Sequence, residues 1–307
     1  MMEADPGNSC GQPACELCGR AAVYLDRVRN RHLCGDHLVR DVEDQVRRTI
    51  RDYRLIRPGD RLAIALSGGK DSTALLHLLS KISREFGEVT LAAITVDEGI
   101  AGYREATMRV AREMAAGLGV EHRIISFEEI AGSTLDAMVR AGGDRPCSLC
   151  GVHRREALLR AAEGLGATAI ATGHNLNDEA QTVVMNCLRG DLPGFTRMPA
   201  RDPGGSGIRR IKPLFRVPEK EVALYGILTG IFRELPECPY AGTALRSEVR
   251  RMVDRLEYLY PGTLGRIVRG QEEVAGLWEK ITAEEGSVPR GDARTDREPR
   301  DPPFSPG

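Results

Sequence analysis

The sequence predicts an open α/β fold, a parallel sheet with helices on both faces, and three observations carry that reading. Short apolar runs alternate with amphipathic helical patterns through the middle of the chain. The loop Ser67-Gly68-Gly69-Lys70-Asp71-Ser72 stands between an apolar run and a helical one, where parallel sheets place their ligand-binding turns. At 307 residues and 41% hydrophobic, the chain can build one large core with one or two small appendages.

Taken in order, a strand from Arg61 to Leu66 leads into a helix to about Phe86, a strand from Val89 to Val96 into a helix to about Leu118, and a strand from His122 to Phe127 into a helix after Glu128. A helix from about Gly151 to Gly164, a strand from Thr168 to Ala171 and a helix from Asn177 to Arg189 continue the alternation. Pro and Gly between Asp191 and Gly207 read as a long exposed loop. Helical patterns return from Glu219 to Ile231 and from Leu245 to Trp278 and predict a helical C-terminal lobe. Residues 1–12 and the Glu-, Arg-, Asp- and Pro-rich segment 283–307 lack apolar content and are expected to be unstructured.

No run reaches the ~18 apolar residues of a membrane span, and Met1 to Cys10 has no apolar signal core, so a cytoplasmic protein is expected. In that setting the eight Cys are expected to be metal ligands or reactive thiols rather than disulfides. The formal net charge of -1 excludes a uniformly basic nucleic-acid binder and leaves RNA contact to local patches. Arg189, Arg197, Arg201, Arg209, Arg210, Lys212, Arg216 and Lys220 form one candidate; Arg246, Arg250, Arg251 and Arg255 form another. Either could equally be an ordinary solvated face.

The loop at Ser67 has the makings of a phosphate site. Gly68 and Gly69 let the backbone approach an anion, the following helix offers unpaired amides, and Ser67, Lys70 and Ser72 add side-chain donors. It is not the Walker loop, since Ile64 replaces its first Gly and Asp71 follows the Lys. Cys15-x2-Cys18 and, fifteen residues later, Cys34-x2-His37 have the spacing of a structural tetrahedral zinc site. Cys147-x2-Cys150 before a helix could be a zinc half-site, a redox pair or part of an iron–sulfur cluster, and the helix start is expected to favour its thiolates. Cys238 lies on an irregular segment, Cys187 within an apolar helix reads as core packing, and Cys10 falls in the unstructured start.

Ser67-Gly68-Gly69-Lys70-Asp71-Ser72 after a first strand resembles the signature of the PP-loop ATP pyrophosphatases, of adenine nucleotide alpha hydrolase-like fold. With the Cys15-to-His37 ribbon, Cys147-Ser148-Leu149-Cys150, Gly173-His174-Asn175-Leu176-Asn177-Asp178-Glu179 and Glu237-Cys238-Pro239-Tyr240 in that order, the chain is similar to the tRNA 2-thiolation branch of that family, the two-thiouridine synthetase type. The resemblance divides the chain into a zinc ribbon over 13–40, a PP-loop domain over 41–215 and the helical lobe over 216–282. It implies ATP and Mg2+, with adenine against Ile94 and Val96, further nucleotide contacts from Gly173, Asn175 and Arg154, and Asp178 as the magnesium-binding or catalytic carboxylate. A hard cation would offset the charge of a pyrophosphate leaving group there, although an acid at a helix start is also favoured by the dipole alone.

The same resemblance implies a 4Fe-4S cluster on Cys147, Cys150 and Cys238, with one iron open to hydrosulfide; a persulfide on one of those thiols is the rival. A uridine oxygen would then attack the α-phosphorus and sulfur would replace it. The implied partners are tRNA, sulfide or a ubiquitin-like sulfur carrier protein, and a second copy of the chain in a homodimer. The chain departs from the branch in having no Cys after Cys238, where close relatives carry a second four-Cys zinc module. That departure keeps two further readings open: an adenylating enzyme with a non-tRNA acceptor, and a non-catalytic adenine-nucleotide-binding protein.

Overall fold

The computed structural model describes residues 13–142, 146–197, 207–241 and 245–284. A hairpin of β1 (Tyr24–Asp26) and antiparallel β2 (Arg31–Leu33) opens the fold and runs into α1 (Gly35–Tyr53). Then come β3 (Arg61–Ala65), α2 (Lys70–Ile82), a 3-10 turn (Ser83–Phe86), β4 (Thr90–Asp97), α3 (Arg104–Gly117), β5 (Glu121–Ser126), α4 (Phe127–Ala131) and α5 (Leu135–Arg140). The chain continues as α6 (Pro146–Gly164), β6 (Ala169–Ala171), α7 (Leu176–Arg189), α8 (Leu192–Phe195), β7 (Arg209–Ile211), α9 (Glu219–Leu228), α10 (Leu245–Leu259) and α11 (Thr263–Glu284).

Strands β3 to β7 form one parallel sheet in the order β5-β4-β3-β6-β7. Their short apolar runs are explained by burial on both faces. Leu62, Ile64, Ala93, Ala169 and Ala171 pack on one side with α1, α2, α7, α9, α10 and α11. Ala63, Ile94, Val96 and Ile170 pack on the other with α4, α5 and α6. The first of these clusters also takes in Cys15, Leu33 and Cys34, so the hairpin shares the core of the sheet domain. The strand order reverses its direction at β3, and the loops after β3 and β6 therefore meet beside the switch point, where open α/β sheets bind ligands.

Several expectations are corrected. The predicted exposed loop contains α8 and is followed by β7, an edge strand whose Arg209-Arg210-Ile211 has one apolar residue in three. Arg209 is not free for RNA: it reaches Asp60 at 2.6 Å and the Leu55 carbonyl at 2.8 Å. Lys212 pairs with Glu179 at 2.7 Å and Arg216 with Glu272 at 2.6 Å, while Arg201 lies outside the described residues. Helix α6 begins at Pro146 rather than near Gly151, because Pro is well suited to the first helical turn. Cys187 is exposed on α7 rather than packed in the core, the buried face of that helix being Ala180, Val183 and Met185. Helix α11 runs through Glu284, past the predicted start of the tail; residues 1–12, with Cys10, and 285–307 lie outside the described residues.

Candidate functional site

The phosphate loop is built by close backbone approach. Gly68 has φ +89°, and a Cβ there would stand 2.0 Å from the Thr107 carbonyl oxygen, so only glycine fits. Gly173, after β6, meets the loop from the other side: a Cβ on it would lie 3.0 Å from the Asp71 carbonyl carbon. Ser72 Oγ donates to the Gly69 carbonyl at 2.9 Å and accepts from the Ser67 amide at 3.1 Å. Helix α2 has Gly69 at its cap and no side chain on its first amides, which leaves them and the dipole turned toward an anion.

Around the loop the charges are paired and half-buried. Lys70 Nζ donates to Asp71 at 2.9 Å and to Glu219 at 2.7 Å. Burial alone would pull the Lys70 ammonium down, and these two carboxylates outweigh it and hold its pKa above the usual range. Asn175 and Asp178 form the capping box of α7, Asn175 Oδ1 accepting from the Asp178 amide at 3.2 Å and Asp178 Oδ2 from the Asn175 amide at 3.1 Å. Asn175 Nδ2 donates across to Asp71 Oδ1 at 3.2 Å. Burial raises the pKa of both Asp71 and Asp178, and the Asp178 charge raises Asp71 further. Two desolvated carboxylates, both hydrogen-bonded to Asn175, one through its side chain and one through its backbone amide, are hard oxygen donors suited to a cation of the magnesium type.

Beside the loop, at the carboxyl ends of β3 and β4, is a cavity of about 40 Å³ lined by Ala65, Leu66, Ser67, Ile94, Val96, Glu98, Arg104, Arg154 and Leu158. Ile94 and Val96, the sequence candidates for an adenine wall, lie in it with Ser67 and Arg154. Its charged side is Glu98, 3% exposed, with Arg104 Nε at 2.6 Å and Arg154 at 2.8 Å. Arg104 also donates to the Ser67 carbonyl at 3.2 Å and to that of Val96, so it fastens the end of β4 to the phosphate loop. Arg154 reaches out of the cavity as well, to Cys150 Sγ at 3.1 Å.

That contact joins the cavity to the second cysteine set. Cys147 Sγ donates to the Tyr240 carbonyl at 3.4 Å, and Cys238, two residues before Tyr240, packs with that ring against the cluster containing Cys150. Cys147, Cys150 and Cys238 are thus brought to one place, and three soft sulfur donors there fit an iron–sulfur or thiophilic metal group. The expected thiolate stabilisation fails at Cys150: burial, with the charges of Glu98, Cys238 and Cys147, outweighs Arg154 and pushes its thiol up to about 11. Cys147, near the start of α6, remains exposed.

The first cysteine set is closed. The ligand atoms of Cys15, Cys18, Cys34 and His37 all lie within 4.8 Å of one another, with Cys15 Sγ 3.3 Å and Cys34 Sγ 3.4 Å from His37 Nδ1. Three thiols and an imidazole so gathered can hold a tetrahedral metal ion.

Glu98, Arg104, Glu219 and Tyr240 were not among the sequence candidates. Glu98 had a local signal, an acid just past an apolar strand whose carboxyl end faces the switch point. Glu219 had none, since it meets Lys70 across 149 residues.

Residues 38–231 match the family pattern described as a PP-loop domain. The tRNA 2-thiolation protein NcsA of Haloferax volcanii is 38% identical over 91% of this chain and 92% of its own, and the cytoplasmic tRNA 2-thiolation protein 1 of Chlamydomonas reinhardtii 35% over 84% and 74%. Among solved structures, the U34-tRNA thiolase NcsA from Methanococcus maripaludis with its [4Fe-4S] cluster superposes with a TM-score of 0.76 at 34% identity, over 86% of this chain and 87% of that one. A pattern over more than half of the chain, with relatives of this identity along nearly all of it, shows that the chain belongs to the PP-loop family, in its tRNA 2-thiolation branch.

Proposed function

We propose that this protein is an ATP-dependent tRNA sulfurtransferase: it adenylates the C2 oxygen of a tRNA uridine and replaces that oxygen with sulfur. The observation that carries the reading is Arg154, which lines the cavity and holds Cys150 Sγ at 3.1 Å, so the energy-supplying end and the thiol end of the site share one side chain. Relatives named for tRNA 2-thiolation supply the acceptor class.

In this reading the amides at the start of α2, with Ser67, Gly68, Gly69, Lys70 and Ser72, hold the β- and γ-phosphates. Asp71 and Asp178 hold Mg2+, Gly173 lets the second loop close on the phosphates, and Asn175 keeps the two carboxyls in register. Adenine lies against Ile94 and Val96, and Arg154 turns toward the α-phosphate, where charge builds as the uridine oxygen attacks and pyrophosphate leaves. Sulfur then adds to C2, the C–O bond breaks, and AMP departs. Cys147, Cys150 and Cys238 would hold a 4Fe-4S cluster like that of the Methanococcus maripaludis neighbour, and such a group supplies activation of the sulfur nucleophile. Cys15, Cys18, Cys34 and His37 hold a structural zinc ion. The sulfur comes from sulfide or a small carrier protein, and the protein works in the cytoplasm, as a homodimer; no helix among the described residues is long and apolar enough to cross a membrane.

Anaerobically prepared protein given ATP, sulfide and tRNA is expected to form AMP in step with 2-thiouridine. ADP as the product, or neither AMP nor thionucleoside, rejects the reading; AMP with unmodified tRNA moves the acceptor elsewhere.

A further inference from the structure

The segment carrying Cys238 has no regular structure from Ile231 to Cys238, yet it must deliver the third sulfur of the set. Among the described residues, two hydrogen bonds tie Glu234 to Ala241 to the rest of the protein, and both are made by Tyr240. Its carbonyl accepts from Cys147 Sγ at 3.4 Å, and its hydroxyl donates to Asp136 Oδ1 at 2.7 Å. The turn itself is closed locally, by the Ala241 amide on the Cys238 carbonyl at 2.9 Å.

Asp136 is anchored in turn. Its other oxygen accepts from the Ala101 amide at 3.0 Å, and the neighbouring Leu135 amide donates to the Glu98 carbonyl at 2.8 Å. Gly99, at φ +68°, makes that approach possible, because a Cβ there would stand 2.5 Å from Thr134, the cap of α5. The turn Asp97 to Ala101 therefore holds two lines to the cysteines. One runs through the Glu98 carboxylate and Arg154 to Cys150; the other runs through Asp136 and Tyr240 to Cys238.

We propose that the Tyr240–Asp136 hydrogen bond is a latch that positions Cys238 against Cys147 and Cys150, hung from the same turn that forms the charged side of the nucleotide cavity. Tyr240 is a positioning residue and touches no reacting atom. The inference rests on the reading of the three cysteines as one ligand set. The Tyr240 ring packs against the cluster that contains Cys150 and would stay there on loss of the hydroxyl, so Tyr240→Phe removes the latch while leaving the packing.

The test compares wild type, Tyr240→Phe, Asp136→Ala and the double variant, each as the full chain. In iron-free protein that keeps its zinc, Tyr240→Phe is expected to speed hydrogen exchange of the peptide covering 234–241, and N-ethylmaleimide labelling of Cys238, by about fivefold or more. The double variant is expected to match Asp136→Ala alone, as for partners in one interaction. After anaerobic reconstitution with iron and sulfide, iron per chain and visible absorption are expected to fall below about half of wild type, and ATP affinity to stay within about twofold. Exchange and labelling rates within about twofold of wild type overturn the latch. If wild type takes up no iron, the cluster reading fails, and the exchange and labelling rates of the iron-free protein still decide the latch.

Discussion

The two cysteine sets of this protein are built in opposite ways. Cys15, Cys18, Cys34 and His37 draw their ligand atoms together within 4.8 Å, from the turn before the hairpin and the start of the helix after it. Cys147, Cys150 and Cys238 come from a helix start and a distant irregular segment, and the Cys150 contact with Arg154 connects them to the nucleotide cavity. A closed set of four can saturate a metal and leaves no position for chemistry, whereas a set of three beside a cavity leaves one. On the proposed reading, proximity of the sulfurs within a set marks the structural site, and connection to the cavity marks the reactive one.

The largest effect expected from this contrast is on folding. Cys34→Ser, or removal of the metal by a chelator, should melt β1 and β2, because a segment this short folds on metal binding worth on the order of 10 kcal/mol. Hydrogen exchange over residues 13–34 reads it directly. Since Cys15, Leu33 and Cys34 belong to the main core, thermal stability of the sheet domain should fall as well. A ribbon that stays protected without metal would break the assignment.

A smaller but sharper effect lies in thiol reactivity of the second set, in iron-free protein that keeps its zinc. Burial pushes the Cys150 thiol up to about 11. Alkylation needs the thiolate, whose fraction grows as pH rises through the pKa. At pH 7 Cys150 should be ionised to only about one part in 10⁴. Peptide-resolved labelling from pH 6 to 10 should show Cys150 still rising at the alkaline end. Labelling of Cys150 that levels off near neutrality would contradict the burial argument.

The smallest effect concerns how the ribbon is fastened to the core. Tyr24 Oη donates to the buried Glu221 at 3.0 Å, and Gln45 Nε2 donates to the same carboxylate at 2.6 Å. Tyr24→Phe should cost about 1–2 kcal/mol in urea unfolding, with iron uptake unchanged. Loss of iron in that variant would mean that the two sets are coupled.

Much of this architecture was legible in the sequence where side chains repeat a local rule. The β3–loop–α2 unit showed itself by an apolar run, two glycines and a helical pattern, and the ribbon by two pairs of ligands at fixed spacing. β7 was hidden because an edge strand of Arg209-Arg210-Ile211 is held by pairing with β6 and by the Asp60 ion pair, neither of which leaves a periodic trace. Cys187 was misplaced because the apolar content of α7 does not by itself say which side is buried. Cys150 was expected to be acidic from its place near a helix start, but its burial among Glu98 and the other cysteines reverses the sign. Glu98, Glu219 and Tyr240 act through partners 56, 149 and 104 residues away, and such distances are settled only by the fold.

The division of labour between the two sets is tested most directly by metal analysis of the anaerobically reconstituted full chain and its Cys238→Ala variant. Wild type should carry about one zinc and about four irons per chain, and the variant should keep its zinc and its ATP affinity while losing the iron. Iron retained without Cys238, or zinc lost together with it, would contradict the assignment of a closed structural site and a separate reactive one.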